Sequence, residues 1–212
     1  MRLVVAATRF ELERHPRFPG GDPLPGPWDC WDAQGVRYVA TGPGPALAGA
    51  GLAWALAAGD CREVLGIGIA GAFDGSGLGI GTAHWVAWES FGDLGAEDGE
   101  DWLDFPALAL PGLPAANRFG LALPHGCRGV GATTVSAATG SEATAMLRRA
   151  RTGADLESME GAAWALTCRR FGVELMQARG ISNRAGRRDR AAWRIGEALE
   201  ALGRLLGVAG EI

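Results

Sequence analysis

Two acidic residues far apart in the chain stand where a carboxylate could take part in catalysis. Glu11 follows the apolar run of residues 2–8, which has the pattern of a strand buried on both faces. In open parallel sheets, ligands bind just beyond the carboxyl ends of the strands, so Glu11 lies where chemistry is usually done. The alternative is a solvated charge on a short helix.

Glu160 belongs to the segment 154–163, which ends a polar turn and opens an apolar helix. We predict Ser158 as the N-cap of that helix and Glu160 in its first turn, where backbone N–H groups and the helix dipole favour the ionised carboxylate. A carboxylate held in this way can bind vicinal hydroxyls, such as those of a ribose. The alternative is a glutamate that only complements the dipole on a solvated face.

The composition argues against several classes of chemistry. All 20 basic residues are arginine, so the chain can form no lysine Schiff base and has no Walker-type phosphate lysine. The four cysteines and three histidines are widely spaced, so we expect no metal, no cofactor and reduced thiols in a cytoplasmic protein. The net charge of −4 and the lack of a long apolar run argue against nucleic acid or membrane partners.

The elements that must position these residues alternate between strands and helices. We predict strands at residues 2–8, 36–41, 62–70, 82–89, 129–136 and 173–181, and helices at 46–58, after Ser141, at 158–171 and from Asp189. This alternation predicts one α/β domain over residues 1–212, with three α/β/α layers around a largely parallel sheet. Residues 14–35 are predicted to be irregular, and the acidic segment 90–126 to be a lid, a binding loop or disordered.

The stretch Gly66-Ile-Gly-Ile-Ala-Gly71 matches the glycine pattern of a dinucleotide-binding turn, and Glu89 ends a later strand at a compatible distance. That motif needs a helix to begin at its third glycine. Four more glycines follow within ten residues, and each costs about 1 kcal/mol in a helix relative to alanine, which argues against a helix there. We predict instead a glycine-lined loop that contacts a flat ligand.

Three patches occur together in the order of a known superfamily. They are Ala7-Thr-Arg-Phe-Glu11, Ser158-Met-Glu160-Gly-Ala-Ala and Arg179-Gly-Ile-Ser-Asn183-Arg-Ala. With them, the chain resembles the nucleoside phosphorylase and nucleosidase superfamily, which includes methylthioadenosine nucleosidase. Residues 89–99 make the resemblance closer to the futalosine hydrolases of the alternative menaquinone pathway.

The resemblance implies roles for the residues at the sugar end of a site. Glu11 would activate the attacking water, Met159 would lie against the ribose, and Glu160 would bind the ribose hydroxyls. Gly71 belongs to the 68–72 loop, which would form the wall near the ribose and the nucleophile.

At the base end, the resemblance places Asn183 where nucleosidases of 6-aminopurines have an aspartate. An amide can donate to O6 or N7 of a departing 6-oxopurine such as hypoxanthine, whereas an ionised aspartate can only accept. Thr139 and Gly140 fall near the base-contacting loop. The alternative for Asn183 is a turn former after a strand.

Hydrolysis is favoured over phosphorolysis. A phosphorylase needs a cationic, hydroxyl-bearing pocket, but Ile69 stands where phosphorylases tend to have Ser or Thr, and Glu11 would repel phosphate. The resemblance then implies an enzyme, usually a homo-oligomer in this family, that cleaves futalosine with water to hypoxanthine and the dehypoxanthinyl product. Two alternatives stay open: a nucleosidase or phosphorylase of inosine or methylthioadenosine, and a nucleoside sensor without turnover.

Overall fold

The computed structural model of the protein describes residues 1–111 and 114–208. Its strands are β1 (Arg2–Ala6), β2 (Cys30–Ala33), β3 (Val36–Ala40), β4 (Glu63–Ala72), β5 (Ala83–Phe91), β6 (Ala96–Asp98), β7 (Asp101–Leu103), β8 (Phe119–Gly120), β9 (Gly129–Thr134), β10 (Leu156–Ser158) and β11 (Glu174–Arg184). Its helices are α1 (Arg9–Leu12), α2 (Pro45–Ala57), α3 (Phe105–Leu108), α4 (Glu142–Thr152), α5 (Gly161–Phe171) and α6 (Ile195–Val208), and a 3₁₀ turn (Arg190–Ala192) precedes α6.

Nine strands form one mixed sheet in the order β10-β9-β5-β11-β4-β1-β3-β2, with β8 beside β5. Among the described residues, five of its pairings are parallel and four are antiparallel. The strand β10 also pairs with β4, so five strands close into a barrel-like ring. The α/β class is confirmed. The sheet is mixed, because β5 runs antiparallel to β11, and three regular layers do not describe its closed half.

The direction of β5 explains the difference. A parallel neighbour needs a crossover connection, usually a helix, whereas an antiparallel neighbour needs only a short turn. Residues 73–82, which join β4 to β5, contain turns and no helix, and β5 runs antiparallel to β11. The glycines that argue against a dinucleotide-binding helix therefore lie in the turns at which the chain reverses its direction.

The predicted glycine-lined loop at Gly66–Gly71 is wrong, because these residues lie inside β4. They pair in parallel register with β11 along almost the whole strand. A strand was also missed in the proline-rich segment 14–35. There β2 pairs with β3 across a tight turn in which Gln34 and Gly35 both have positive φ, the geometry of a two-residue hairpin.

Helices cover both faces of the open half of the sheet. Leu3 and Val5 of β1 pack in one apolar cluster with α2 and α5, while Val4 and Ala6 pack in a second cluster with α6. The apolar face of α6 is buried against the sheet, and its central Leu199 is fully buried. The two clusters hold the carboxyl ends of β1, β4 and β11 at one edge.

Three expectations about chemistry can be compared with the described residues. All four cysteines lie in the described ranges and are free thiols. Within these ranges, no group of three metal-binding side chains lies close enough to hold an ion. None of the described helices has the length and apolar character that a membrane crossing requires.

Close packing between β11 and α6 generates a stability prediction. A Cβ on Gly180 would lie 2.8 Å from the carbonyl carbon of Ala198, so Gly180→Ala must push α6 away from the sheet. We expect a loss of about 1–3 kcal/mol in the free energy of unfolding, measured by urea denaturation. The control is Gly196→Ala in α6, where a Cβ would meet nothing within 4 Å. Equal stability of the two variants would contradict the packing argument.

Candidate active site

A cavity of ≈ 300 Å³ opens at the carboxyl ends of β1, β4 and β11. Six of the seven residues that the sequence assigned to the site line it: Glu11, Gly71, Thr139, Met159, Glu160 and Asn183. The seventh, Gly140, is exposed and lies outside the lining. The described part of the acidic segment 90–126 contributes no residue to the lining.

Glu11 lies on the short helix α1 directly after β1 and is only 7 % exposed. Its Oε2 accepts hydrogen bonds from the backbone N–H and the hydroxyl of Thr8, at 3.0 and 2.9 Å. Its Oε1 accepts from the backbone N–H of Ile69 at 3.1 Å. Burial raises the pKa of Glu11, the charge of Glu160 raises it further, and Arg179 and these hydrogen bonds oppose the rise.

Glu160 is the N-cap residue of α5, one position before the helix begins. The predicted N-cap, Ser158, is instead the last residue of β10, because residues 156–158 pair with β9 and delay the helix. The Oε2 of Glu160 accepts from Nη1 of Arg179 at 3.0 Å, and its Oε1 accepts from the backbone N–H of Gly44 at 3.4 Å. Glu160 is therefore a buried, ion-paired carboxylate and not a solvated charge.

Arg179 is fully buried on β11, and its guanidinium lies 5.0 Å from the ring centroid of Trp164. Its strand partner is Gly68 of β4. A Cβ on Gly68 would lie 2.6 Å from Nη1 of Arg179 and 2.8 Å from Oε1 of Glu11. The second glycine of the 66–71 stretch thus leaves room for two charged side chains.

Asn183 lies at the other end of the cavity, near the end of β11. Its Oδ1 accepts from the hydroxyl of Ser182 at 2.8 Å, and its Nδ2 donates to the carbonyl of Arg184 at 2.8 Å. A Cβ on Gly71 would lie 3.1 Å from that Nδ2, so Gly71 gives the amide its space. The second N–H of the amide has no hydrogen-bond partner among the described residues, and Asn183 lines the cavity.

Comparisons with known proteins identify the family of this chain. Residues 115–209 match the family model of the phosphorylase superfamily. The chain is 38% identical to a futalosine hydrolase of Thermus thermophilus over 218 residues, which cover 96% of this chain and 92% of that protein. It belongs to the futalosine hydrolase family. A futalosine hydrolase of Streptomyces coelicolor is 37% identical over 82% of this chain and 76% of its own length.

Solved structures agree with the family on the level of the fold. The native futalosine hydrolase of Helicobacter pylori aligns with a TM-score of 0.78 at 15% identity, covering 98% of this chain and 96% of that one. A 5′-methylthioadenosine/S-adenosylhomocysteine nucleosidase of Neisseria meningitidis aligns with a TM-score of 0.73 at 21% identity, covering 98% and 96%. At such identities the likeness shows the nucleoside phosphorylase type of fold alone.

A buried charge network supports the loop beside the cavity in this futalosine hydrolase family member. Glu157 accepts from the backbone N–H and the hydroxyl of Thr139, at 2.8 and 2.5 Å. Arg148 donates to Glu157 and to the Thr139 hydroxyl, and pairs with Asp93 at 3.3 Å. Asp93 also accepts from the backbone N–H of Ser136 at 2.8 Å. The hydroxyl of Thr139 is thus engaged by protein groups.

Sequence reasoning missed Arg179, Glu157 and Arg148 as members of the site. Arg179 belongs to one of the family patches but has no role assigned there, and no sequence pattern singles out Glu157 or Arg148. No local pattern distinguishes a buried arginine from a solvated one. The one signal available was the position of Arg179 in the middle of an apolar strand, where an unpaired charge would cost several kcal/mol.

We predict that Glu11→Gln retains ligand binding but lowers turnover by about 10² or more, because an amide cannot take a proton from water. The measurement is kcat and KM for base release from a purine nucleoside. The matched control is Glu13→Gln on the same short segment, since Glu13 is exposed, lies outside the cavity lining and pairs with Arg9. Unchanged turnover in the Glu11 variant would remove its assignment as the base.

Proposed function

We propose that this protein hydrolyses the N-glycosidic bond of futalosine, releasing hypoxanthine and dehypoxanthine futalosine in menaquinone biosynthesis. The observation that carries the proposal is one cavity that holds Glu11 and Glu160 at one end and Asn183 at the other, in a chain of this family. Cleavage of an N-glycoside passes through an oxocarbenium-like transition state. It needs a positioned water, a base for that water, and help for the departing purine.

Glu11 is the base in this proposal. Its Oε2 is held by two donors from Thr8, whereas its Oε1 has a single protein donor and one lone pair left for water. Because burial raises its pKa, the Glu11 carboxylate is a stronger base than that of a solvated glutamate. Its function would then be lost in acid, as the carboxylate takes up a proton.

The sugar would lie between Met159 and Glu160. The ion pair with Arg179 fixes the direction of the Glu160 carboxylate, so its oxygens can accept from the ribose hydroxyls. Met159 follows β10, lines the same cavity and offers an apolar face for the ribose ring. Two carboxylates close to the sugar also favour the positive charge that develops on it.

The base would lie against Asn183. The free N–H of its amide can donate to N7 or O6 of hypoxanthine and so stabilise the negative charge on the departing purine. Ser182 fixes the orientation of the amide by donating to Oδ1. This arrangement favours a 6-oxopurine, since a 6-aminopurine presents donors at the same place.

Water fits the nucleophile end better than phosphate. Glu11 and Glu160 both lie there, and Nη1 of the buried Arg179 is already bound to Glu160. A phosphate dianion would have to approach two carboxylates with no free hydroxyl from residue 69, which is Ile. The electrostatics therefore support hydrolysis.

The open end of the cavity supports a substrate with an anionic aromatic group. Arg187 and Arg188 line it, both exposed, and neither forms an ion pair within the described ranges. The Arg188 guanidinium lies 5.5 Å from the centroid of Trp193, which lines the same end. Futalosine carries an aromatic carboxylate at its 5′ end, whereas methylthioadenosine carries no charge there. The proposal includes a cytoplasmic homo-oligomer that uses no cofactor.

A substrate panel tests the proposal. The purified protein is incubated with futalosine, inosine and methylthioadenosine, each with and without phosphate, and the free base is measured by chromatography. We expect hypoxanthine from futalosine without phosphate, at a kcat/KM well above that for the other two nucleosides. Faster release from inosine or methylthioadenosine, or a need for phosphate, would assign another nucleosidase or a phosphorylase. If no free base is released from any of the three nucleosides, the result would favour a nucleoside sensor without turnover.

Asn183→Asp tests the leaving-group role. Loss of the donated hydrogen bond should lower kcat for hypoxanthine release by about tenfold, the equivalent of about 1.4 kcal/mol. Release of adenine from methylthioadenosine serves as the internal control, because an aspartate can accept from a 6-amino group. A ratio of the two rates that equals the wild-type ratio would show that Asn183 does not select the base.

A further inference from the structure

Glu89 is a fully buried carboxyl group that does not line the cavity and has no part in the proposed reaction. It lies near the carboxyl end of β5. Its Oε1 accepts from Nε2 of Gln177 at 2.7 Å, and its Oε2 accepts from the hydroxyl of Thr134 at 3.1 Å. A lone buried carboxyl is costly to retain, so its connections to the site are informative.

The first connection runs through the start of α5. The hydroxyl of Thr134 accepts from the backbone N–H of Ala162 at 2.8 Å and donates to Glu89. Ala162 is two residues after Glu160. A Cβ on Gly161 would overlap Oε1 of Glu89 and lie 2.6 Å from Oε1 of Gln177. Glu89 therefore lies directly beneath the first turn of α5, the turn that carries the ribose-binding carboxylate.

The second connection runs through β11. Gln177 and Arg179 are two residues apart on this strand, so their side chains lie on the same face. Gln177 binds Glu89, and Arg179 binds Glu160. The two acidic residues are thus held by neighbouring side chains of one strand.

The charged groups that face Glu89 all belong to the site. Burial raises the pKa of Glu89 to about 7, Arg179 and the hydrogen bonds from Gln177 and Thr134 oppose this rise, and Glu160 adds to it. Arg179 comes from β11 and Glu160 from the start of α5. The flanking strands β9 and β8 bring Thr134 and Phe119, which carry no charge there.

Gln177 can serve both protonation states of Glu89. Its Nε2 donates to the carboxylate, while its buried Oε1 has no hydrogen-bond partner in the described part of the chain. Rotation of the amide by half a turn would present that oxygen to a protonated Glu89, which could then donate to it. Because an amide has both N–H donors and a carbonyl acceptor, it can form a hydrogen bond with a carboxyl group in either protonation state.

We propose that Glu89 is a positioning residue of the site, which takes up and releases a proton beneath α5 and thereby controls the charge behind Glu160. In its ionised form it adds negative charge behind the sugar and accepts from the Thr134 hydroxyl, which in turn accepts from Ala162 in the first turn of α5. Both effects favour the positive charge of the oxocarbenium-like transition state. The inference rests on the proposed function.

The test is the pH profile of kcat and KM for base release by the full-length protein, between pH 5.5 and 9. The wild-type kcat should rise with pH through about pH 7 as Glu89 ionises. This rise is separate from the loss of activity in acid that protonation of Glu11 causes. Glu89→Gln cannot ionise, so this rise should vanish, with kcat at pH 8 about tenfold lower and KM changed less than kcat. The control is Glu174→Gln at the exposed start of β11, which should retain the wild-type profile.

A purely structural role would lower activity equally at every pH and leave the inflection in place, and that result overturns the proposal. Gln177→Met gives a second measurement should Glu89→Gln fold poorly. Loss of the hydrogen bond to the carboxylate should move the inflection to higher pH, and an unmoved inflection also overturns the proposal. Failure of the proposed function is separate, because the wild type would then release no hypoxanthine from futalosine at any pH.

Discussion

The site depends on a charge balance around one buried guanidinium. Glu11, Glu89 and Glu160 are all buried near Arg179, and only Glu160 pairs with it directly. If all three carboxyl groups were ionised, the cluster would carry two uncompensated negative charges in a medium of low dielectric, at a cost of several kcal/mol per ion. Burial therefore raises the pKa of Glu11 and of Glu89. Uptake of a proton by either group reduces the net negative charge of the cluster. Such a cluster suits a reaction in which positive charge develops on a sugar.

Glycines make this cluster possible by letting charged groups pack against the backbone. Gly68 faces Arg179 and Glu11, and Gly161 covers Glu89, so each position has no room for a side chain. Trp164 closes the cluster from the side of α5, beneath the guanidinium. Gly68 also belongs to the stretch that matches a dinucleotide-binding turn: both structures need close approach of a backbone, here to side chains of the protein itself.

The residues that carry a family motif could be predicted from the sequence, and their partners could not. Glu11 follows a buried strand and Glu160 precedes an apolar helix, so their chain positions alone suggest a shared edge. Arg179 and Glu89 lie inside strands, where a charged residue has no periodic signal and its burial depends on contacts distant in the chain. The strand at 62–70 was predicted, but the direction of β5 and the continuation of β4 through Gly71 were missed for a related reason. Strand pairing is decided by tertiary contacts, and glycine is depleted in most strands.

The strand pairing that closes the sheet into a ring also brings the residues of the site together. The strand β10 reaches the ring through two residue pairs with β4, Leu156 with Ala72 and Glu157 with Gly71. These pairs bring the segment that ends in Glu160 to the end of β4, beside which β11 carries Arg179. Without them, the carboxylate at the start of α5 would have no partner on β11. A contact of a few residues, between segments more than 80 positions apart, therefore links the barrel-like half of the fold to its chemistry.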